Sequence, residues 1–159
     1  MQIEYNLLAQ VPIKVYNIIM KVFRSNNEKD TFELGKKVGE TLLGGEIITL
    51  QGDLGAGKTV FTKGLAQVLG IEDEIKSPTF TYMIIYEGEK LSLFHYDAYR
   101  LQSGDEAEER GLTEYFGDKS GVCVVEWPQN IESCFEWHRV IKININYIDE
   151  NTREITIDD

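Results

Sequence analysis

The segment Gly52-Asp53-Leu54-Gly55-Ala56-Gly57-Lys58-Thr59 constrains the fold more than any other part of the chain. It matches the phosphate-loop pattern G-x-x-x-x-G-K-[ST]. Before it, Glu46-Ile47-Ile48-Thr49-Leu50 predicts a buried strand. After it, Val60 to Leu69 predicts a helix with Phe61, Leu65, Val68 and Leu69 on one side. Glycines let the backbone wrap a polyphosphate so that N–H groups point at its oxygens. The helix N-terminus adds partial positive charge. Lys58 is long enough to reach β- and γ-phosphates, and the Thr59 hydroxyl suits Mg²⁺. The expected cradle is Asp53, Leu54, Gly55, Ala56, Gly57, Lys58, Thr59 and Val60. A glycine-rich turn with a surface lysine would not need this strand–loop–helix setting.

The rest of the chain supplies the elements that such a loop requires. Ile18 to Phe23 predicts a first strand. Thr31 to Leu43 predicts a helix, with N-caps available in Ser25 to Asp30 and a stop at Gly44-Gly45. Further strands are expected at Thr79–Tyr86, Leu91–Tyr96, Val122–Glu126, Val140–Tyr147 and Arg153–Ile157, with a helix over 103–116. Mixed strands and helices around a phosphate loop predict a three-layer α/β domain with a mostly parallel central sheet. Residues 20–159 form one domain in this reading, and residues 1–19 an extension of unknown role. That extension reads either as the product of an early start codon or as an amphipathic helix docked on the domain.

Composition narrows the function classes. With 159 residues, of which 42% are hydrophobic and 27% charged, a single domain can bury a core unaided. No apolar run approaches the roughly 20 residues of a membrane span. The two cysteines make neither a disulfide framework nor a metal site, and Cys123 reads as a core residue, which suits a reducing cytoplasm. A net charge of −11 argues against direct DNA or RNA binding, so any link to nucleic acid is expected to run through a protein partner.

A phosphate loop binds; turnover needs carboxylates and a γ-phosphate sensor. Val122-Cys123-Val124-Val125-Glu126 and Leu91-Ser92-Leu93-Phe94-His95-Tyr96-Asp97 are apolar runs that end in carboxylates. At the carboxyl ends of strands, Glu126 and Asp97 would face the ligand crevice, and both are candidates for holding Mg²⁺ or orienting water. Either could instead cap a neighbouring loop. Ser77-Pro78-Thr79-Phe80 offers hydroxyls for a switch, with an ordinary turn as its rival reading. His95 reads as a core or orienting histidine, and Asp105, Glu106, Glu108 and Glu109 as a solvated helix face.

These pieces, in this order, resemble the TsaE family (older name YjeE), small bacterial P-loop ATPases of tRNA threonylcarbamoyladenosine synthesis. The matching segments are Gly52 to Thr59, Ser77-Pro78-Thr79-Phe80, His95-Tyr96-Asp97-Ala98-Tyr99-Arg100-Leu101 and Glu126-Trp127-Pro128, and the resemblance spans roughly residues 20–159. It implies that Lys58 and the loop amides hold ATP. It further implies that Thr59 and Glu126 hold Mg²⁺, that Asp97 is the second acidic residue near metal and water, and that Thr79 belongs to a nucleotide-sensing switch. Lys58, Glu126 and Asp97 are then the catalytic set, Trp127 lies beside the active carboxylate, and TsaB and TsaD are the partners, with tRNA contacted through them. Glu109-Arg110-Gly111 departs from the family, which usually has an apolar residue before that glycine, and no arginine finger is assignable. Two rival classes are a small-molecule kinase and a nucleotide-dependent binding switch with negligible turnover. A kinase needs a lid of several arginines, whereas Arg100, Arg110, Arg139 and Arg153 are scattered.

Overall fold

The strand before the phosphate loop is Ile47–Gln51 (β3), buried at every position except the last. A computed structural model describes residues 11–15 and 18–159. Around β3 it places seven more strands: β1 Val11–Val15, β2 Ile18–Ser25, β4 Met83–Tyr86, β5 Ser92–Asp97, β6 Gly121–Glu126, β7 Val140–Tyr147 and β8 Arg153–Asp158. They form one sheet in the order β1-β2-β8-β7-β3-β6-β5-β4. The central strands β7, β3, β6 and β5 are parallel, as expected, and the flanking pairings are antiparallel. Within residues 1–19, Val11–Val15 is a strand paired antiparallel with β2 rather than helix. The remainder of the docked-helix reading falls outside the described residues.

Among the described residues three α-helices accompany the sheet: α1 Glu28–Thr41, α2 Lys58–Leu69 and α3 Gly104–Glu109. Asn27 caps α1, its side chain accepting the Asp30 N–H at 2.9 Å. Helices α1 and α2 cross closely, because a Cβ at Gly35 would collide with the Phe61 carbonyl and one at Gly64 with that of Phe32. Their shared apolar face covers one side of the sheet through Leu34, Phe61, Leu65, Ile48, Leu93 and Val124. The other side packs Phe94, Tyr96, Cys123 and Val125 against Ala107, Leu112 and Phe116. This is the expected three-layer arrangement. Cys123 is the core residue expected, and burial pushes its thiol up to about 12.

Two expected elements are shorter than the sequence pattern suggests. The strand predicted from Thr79 begins only at Met83, because 79–82 form a turn in which the Thr81 N–H bonds the Pro78 carbonyl at 3.3 Å. The helix predicted over 103–116 stops at Glu109. Gly111 adopts φ 72°, and the N–H groups of Gly111 and Leu112 return to the carbonyls of Glu108 and Ala107, a glycine-based helix stop. No helix among the described residues is long and apolar enough to cross a membrane.

Candidate functional site

Helix α2 begins without a side-chain cap. The residue before it, Gly57, has φ 109°, and Gly55 has φ 78°, backbone shapes that favour glycine. The N–H groups of Gly55, Gly57, Lys58, Thr59 and Val60 have no acceptor among the described residues. Such a set of free donors at a helix start is what a polyphosphate would satisfy. Gly52 is also fixed by space, since a Cβ there would press on the Ile145 carbonyl oxygen at 2.7 Å. Leu54 at the loop tip is 96% exposed, so it can contribute only backbone. Lys58 folds along the loop, donating from Nζ to the Gly52 carbonyl at 2.7 Å, and lies 4.5 Å from the centre of the Trp127 ring.

The two strand-end carboxylates sit side by side. In the parallel β5–β6 register Asp97 is the partner of Glu126, and Leu50 at the end of β3 pairs with Glu126 on its other side. Side chains alternate along a strand, so Asp97 and Glu126 share the face of Leu93, Val122 and Val124, the face that carries α2. Both are buried, at 6% and 3% exposure. One oxygen of Asp97 accepts the Tyr99 N–H at 2.9 Å, and the other has no partner among the described residues. Glu126 Oε2 lies 3.5 Å from His95 Nε2, and His95 is wholly buried, with no hydrogen-bond partner on either nitrogen among the described residues. The histidine is thus a buried neighbour of Glu126 rather than a hydrogen-bonded one.

The set fits a magnesium nucleotide. Among the described residues no cluster of three or more His, Cys, Asp or Glu forms an all-protein metal cage. Mg²⁺ does not ask for one, since it is commonly held by one or two carboxylates together with phosphate oxygens and water. Thr59 on the first turn of α2, with Glu126 and Asp97 on the same face, supplies that kind of donor set.

Thr79 lies in the loop between α2 and β4. Its hydroxyl is 2.9 Å from that of Ser77, and its carbonyl accepts from Arg100. The Arg100 guanidinium also lies over the rings of Phe80 and Tyr82, at 5.4 and 5.5 Å. Arg110, the residue that departs from the family pattern, packs over Tyr82 at 5.0 Å.

Two features escaped the sequence reading. Trp127 takes a left-handed backbone, φ 55°, which turns the chain directly after Glu126 and brings the ring to Lys58. Arg153, at the start of β8, braces the phosphate loop by donating to the carbonyl of Ala56 at 2.9 Å and that of Gly55 at 3.4 Å. Nothing local in the sequence marks Arg153 as a partner of a loop so distant along the chain.

A phosphate loop on a central parallel strand, free donors at a helix start and paired carboxylates on the neighbouring strands define a P-loop nucleotide-binding protein. The family model for "Threonylcarbamoyl adenosine biosynthesis protein TsaE" matches residues 25–155. The tRNA threonylcarbamoyladenosine biosynthesis protein TsaE of Bacillus subtilis (strain 168) is 43% identical over 134 residues, 84% of this chain and 82% of that protein. Its counterpart from Treponema pallidum (strain Nichols) is 42% identical over 134 residues, 84% of this chain and 96% of that one. The crystal structure of YdiB from Bacillus subtilis aligns with a TM-score of 0.72 at 36% identity, covering 91% of this chain and 88% of the other. The chain belongs to the TsaE family.

Proposed function

We propose that this protein is the Mg²⁺-dependent ATPase subunit of tRNA N6-threonylcarbamoyladenosine synthesis, acting on a TsaB–TsaD complex in the cytoplasm to support repeated turnover. The observation that carries the reading is the Asp97–Glu126 pair, set beside an uncapped phosphate loop in a chain of the TsaE family. Lys58 and the free amides of the Asp53–Val60 loop bind the phosphates, with the Ala56 N–H closing the loop on the Asp53 carbonyl at 3.0 Å. Thr59 and Glu126 would hold Mg²⁺, which would supply charge neutralisation to the bound phosphates. Asp97 keeps one oxygen available to orient water, and the buried His95 packs beside Glu126. Thr79, on the loop tied to Arg100, reads the γ-phosphate.

The net charge of −11 supports tRNA contact through the partner proteins rather than through this chain. The kinase reading finds little support among the arginines. Arg100, Arg110, Arg139 and Arg153 bond respectively to Thr79, Glu106, Asp159 and the phosphate loop, and they make no common lid.

The test is threonylcarbamoyladenosine formation on tRNA by purified TsaB, TsaD and the carbamoyl-adenylate synthase that supplies them. Product per TsaD is measured with no addition, with this protein and with its Lys58→Ala form. Many turnovers are expected only with the intact protein. Equal product in the three tubes, with all proteins folded, would refute the proposal.

A further inference from the structure

Tyr99 is 60% exposed and belongs to neither apolar core, yet its ring has a defined partner. It meets the Trp127 indole in a T-shaped contact, with ring centres 5.2 Å apart and planes at 62°. The same indole has Lys58 Nζ over it at 4.5 Å. Tyr99, Trp127 and Lys58 therefore form a run of contacts from the chain just after β5, through the residue that follows β6, to the first residue of α2. The main chain between the two strand ends is stitched as well. The Ala98 N–H donates to the Glu126 carbonyl at 3.0 Å, and the Asn130 side chain donates to the Ala98 carbonyl at 3.3 Å.

We propose that Tyr99 is a positioning residue: through Trp127 it fixes where the Lys58 ammonium stands, and so how well the loop receives a terminal phosphate. Trp127 has φ 55°, a left-handed backbone that a bulky residue keeps only where its surroundings hold it. Its side chain is only partly buried, so the core alone does not supply that hold, and the Tyr99 ring adds a contact from the side of β5. Lys58 in turn has two contacts to fix its long stem, the Gly52 carbonyl at 2.7 Å and the indole. A lysine ammonium is a point charge on a flexible four-carbon chain, so letting the indole move returns rotamer freedom to it. The ring of Tyr99 makes this contact, while its hydroxyl has no hydrogen bond among the described residues. Its N–H on Asp97 belongs to the main chain, so replacing the side chain leaves the carboxylate's partner in place.

The consequence for phosphate rests on the nucleotide reading proposed above, but the positioning itself is measurable without nucleotide. Protons over an aromatic face resonate upfield, so the Lys58 ε-methylene signals, assigned by their loss in Lys58→Ala, report the indole. Tyr99→Phe should keep their shift, and Tyr99→Ala should move them toward that of a solvated lysine. Calorimetric titration with ATP reads the consequence. Tyr99→Ala should bind about three- to tenfold more weakly, the scale of one aromatic pair, and Tyr99→Phe should bind like the unaltered protein. In a Trp127→Leu background the same Tyr99→Ala change should add almost nothing, because the indole it acted through is gone. A residue that merely supports the fold would weaken both backgrounds alike. Unmoved Lys58 signals in a folded Tyr99→Ala protein, or equal losses of affinity with and without the indole, would overturn the proposal. Absence of ATP binding by the unaltered protein counts instead against the proposed function, and the Lys58 signals then decide the role of Tyr99 on their own.

Discussion

The phosphate loop and the loop at residues 77–82 both belong to the proposed ATP site, yet they are held in different ways. The first continues a central strand, leads into a twelve-residue helix and is braced from β8 by Arg153. Gly52 packs so closely on the Ile145 carbonyl that a Cβ there would not fit. The second leads into the edge strand β4, and Phe80 on it is 86% exposed. It is held by the buried Pro78, by Arg100 on the Thr79 carbonyl and by the Tyr82 carbonyl, which accepts the Asp97 N–H at 2.9 Å. A cradle built before the nucleotide arrives costs little reorganisation on binding. A loop with few buried contacts can respond to whether a γ-phosphate is there. On the proposed function, the difference would separate affinity, carried by the braced loop, from turnover, carried by the carboxylates and the lightly held loop.

Variants can break that division. The largest effect is expected from Glu126→Gln, which keeps the shape and removes the charge. Hydrolysis should fall by about a hundredfold or more, the scale of losing a positioned acid–base or metal-binding group. ATP affinity, measured by titration on the same sample, should change little; equal losses in both would give Glu126 a structural role. Next comes Arg153→Ala. It strips the brace from the Ala56 and Gly55 carbonyls, and the loss of one charged hydrogen bond corresponds to about tenfold weaker ATP binding. Calorimetry should show the loss in affinity, with kcat nearly intact. A kcat effect without an affinity effect would reverse the assignment of the two loops.

A smaller effect, of the opposite kind, is expected from Arg100→Ala. Affinity should hold while kcat falls by about fivefold, as the Thr79 carbonyl and the rings of Phe80 and Tyr82 lose their shared cation. Arg100→Lys should restore only part of the rate, because an ammonium cannot both stack and donate as the guanidinium does. Full rescue by lysine would reduce Arg100 to a point charge.

The braced region was also the legible one. The phosphate loop is contiguous, and the apolar runs ending in Asp97 and Glu126 mark both carboxylates as strand ends, where an open parallel sheet has its crevice. The lightly held region was only partly legible. Ser77-Pro78-Thr79 marked a loop, but the strand pattern after it hid the turn at 79–82, because Tyr82 adopts φ 62° in a run that otherwise reads as extended. The helix pattern over 103–116 likewise ran past its stop, since Gly111 outweighs the apolar spacing that continues beyond it. Arg153 and Arg100 were visible as residues but not as braces. Each acts on a carbonyl far along the chain, and a backbone acceptor carries no mark in the sequence.

The smallest effect concerns Arg110, at a departure from the family pattern inside the matched region. Arg110 stands over Tyr82 and is paired with Glu106 at 2.9 Å on the same helix face. Tyr82 therefore meets two guanidinium groups, one from the segment after β5 and one from the end of α3. An exposed cation–π contact is worth roughly 0.5–1 kcal/mol, so Arg110→Ala alone should lower kcat only about two- to fivefold and leave ATP affinity unchanged. The double variant with Arg100→Ala is the sharper measurement. If both arginines act by fixing Tyr82, the second substitution should add less than it does alone, because the ring it restrained is already loose. Strict additivity would mean that Arg110 serves only its ion pair with Glu106. The hold on the 77–82 loop would then come from Arg100 and its own neighbours, with α3 taking no part in it.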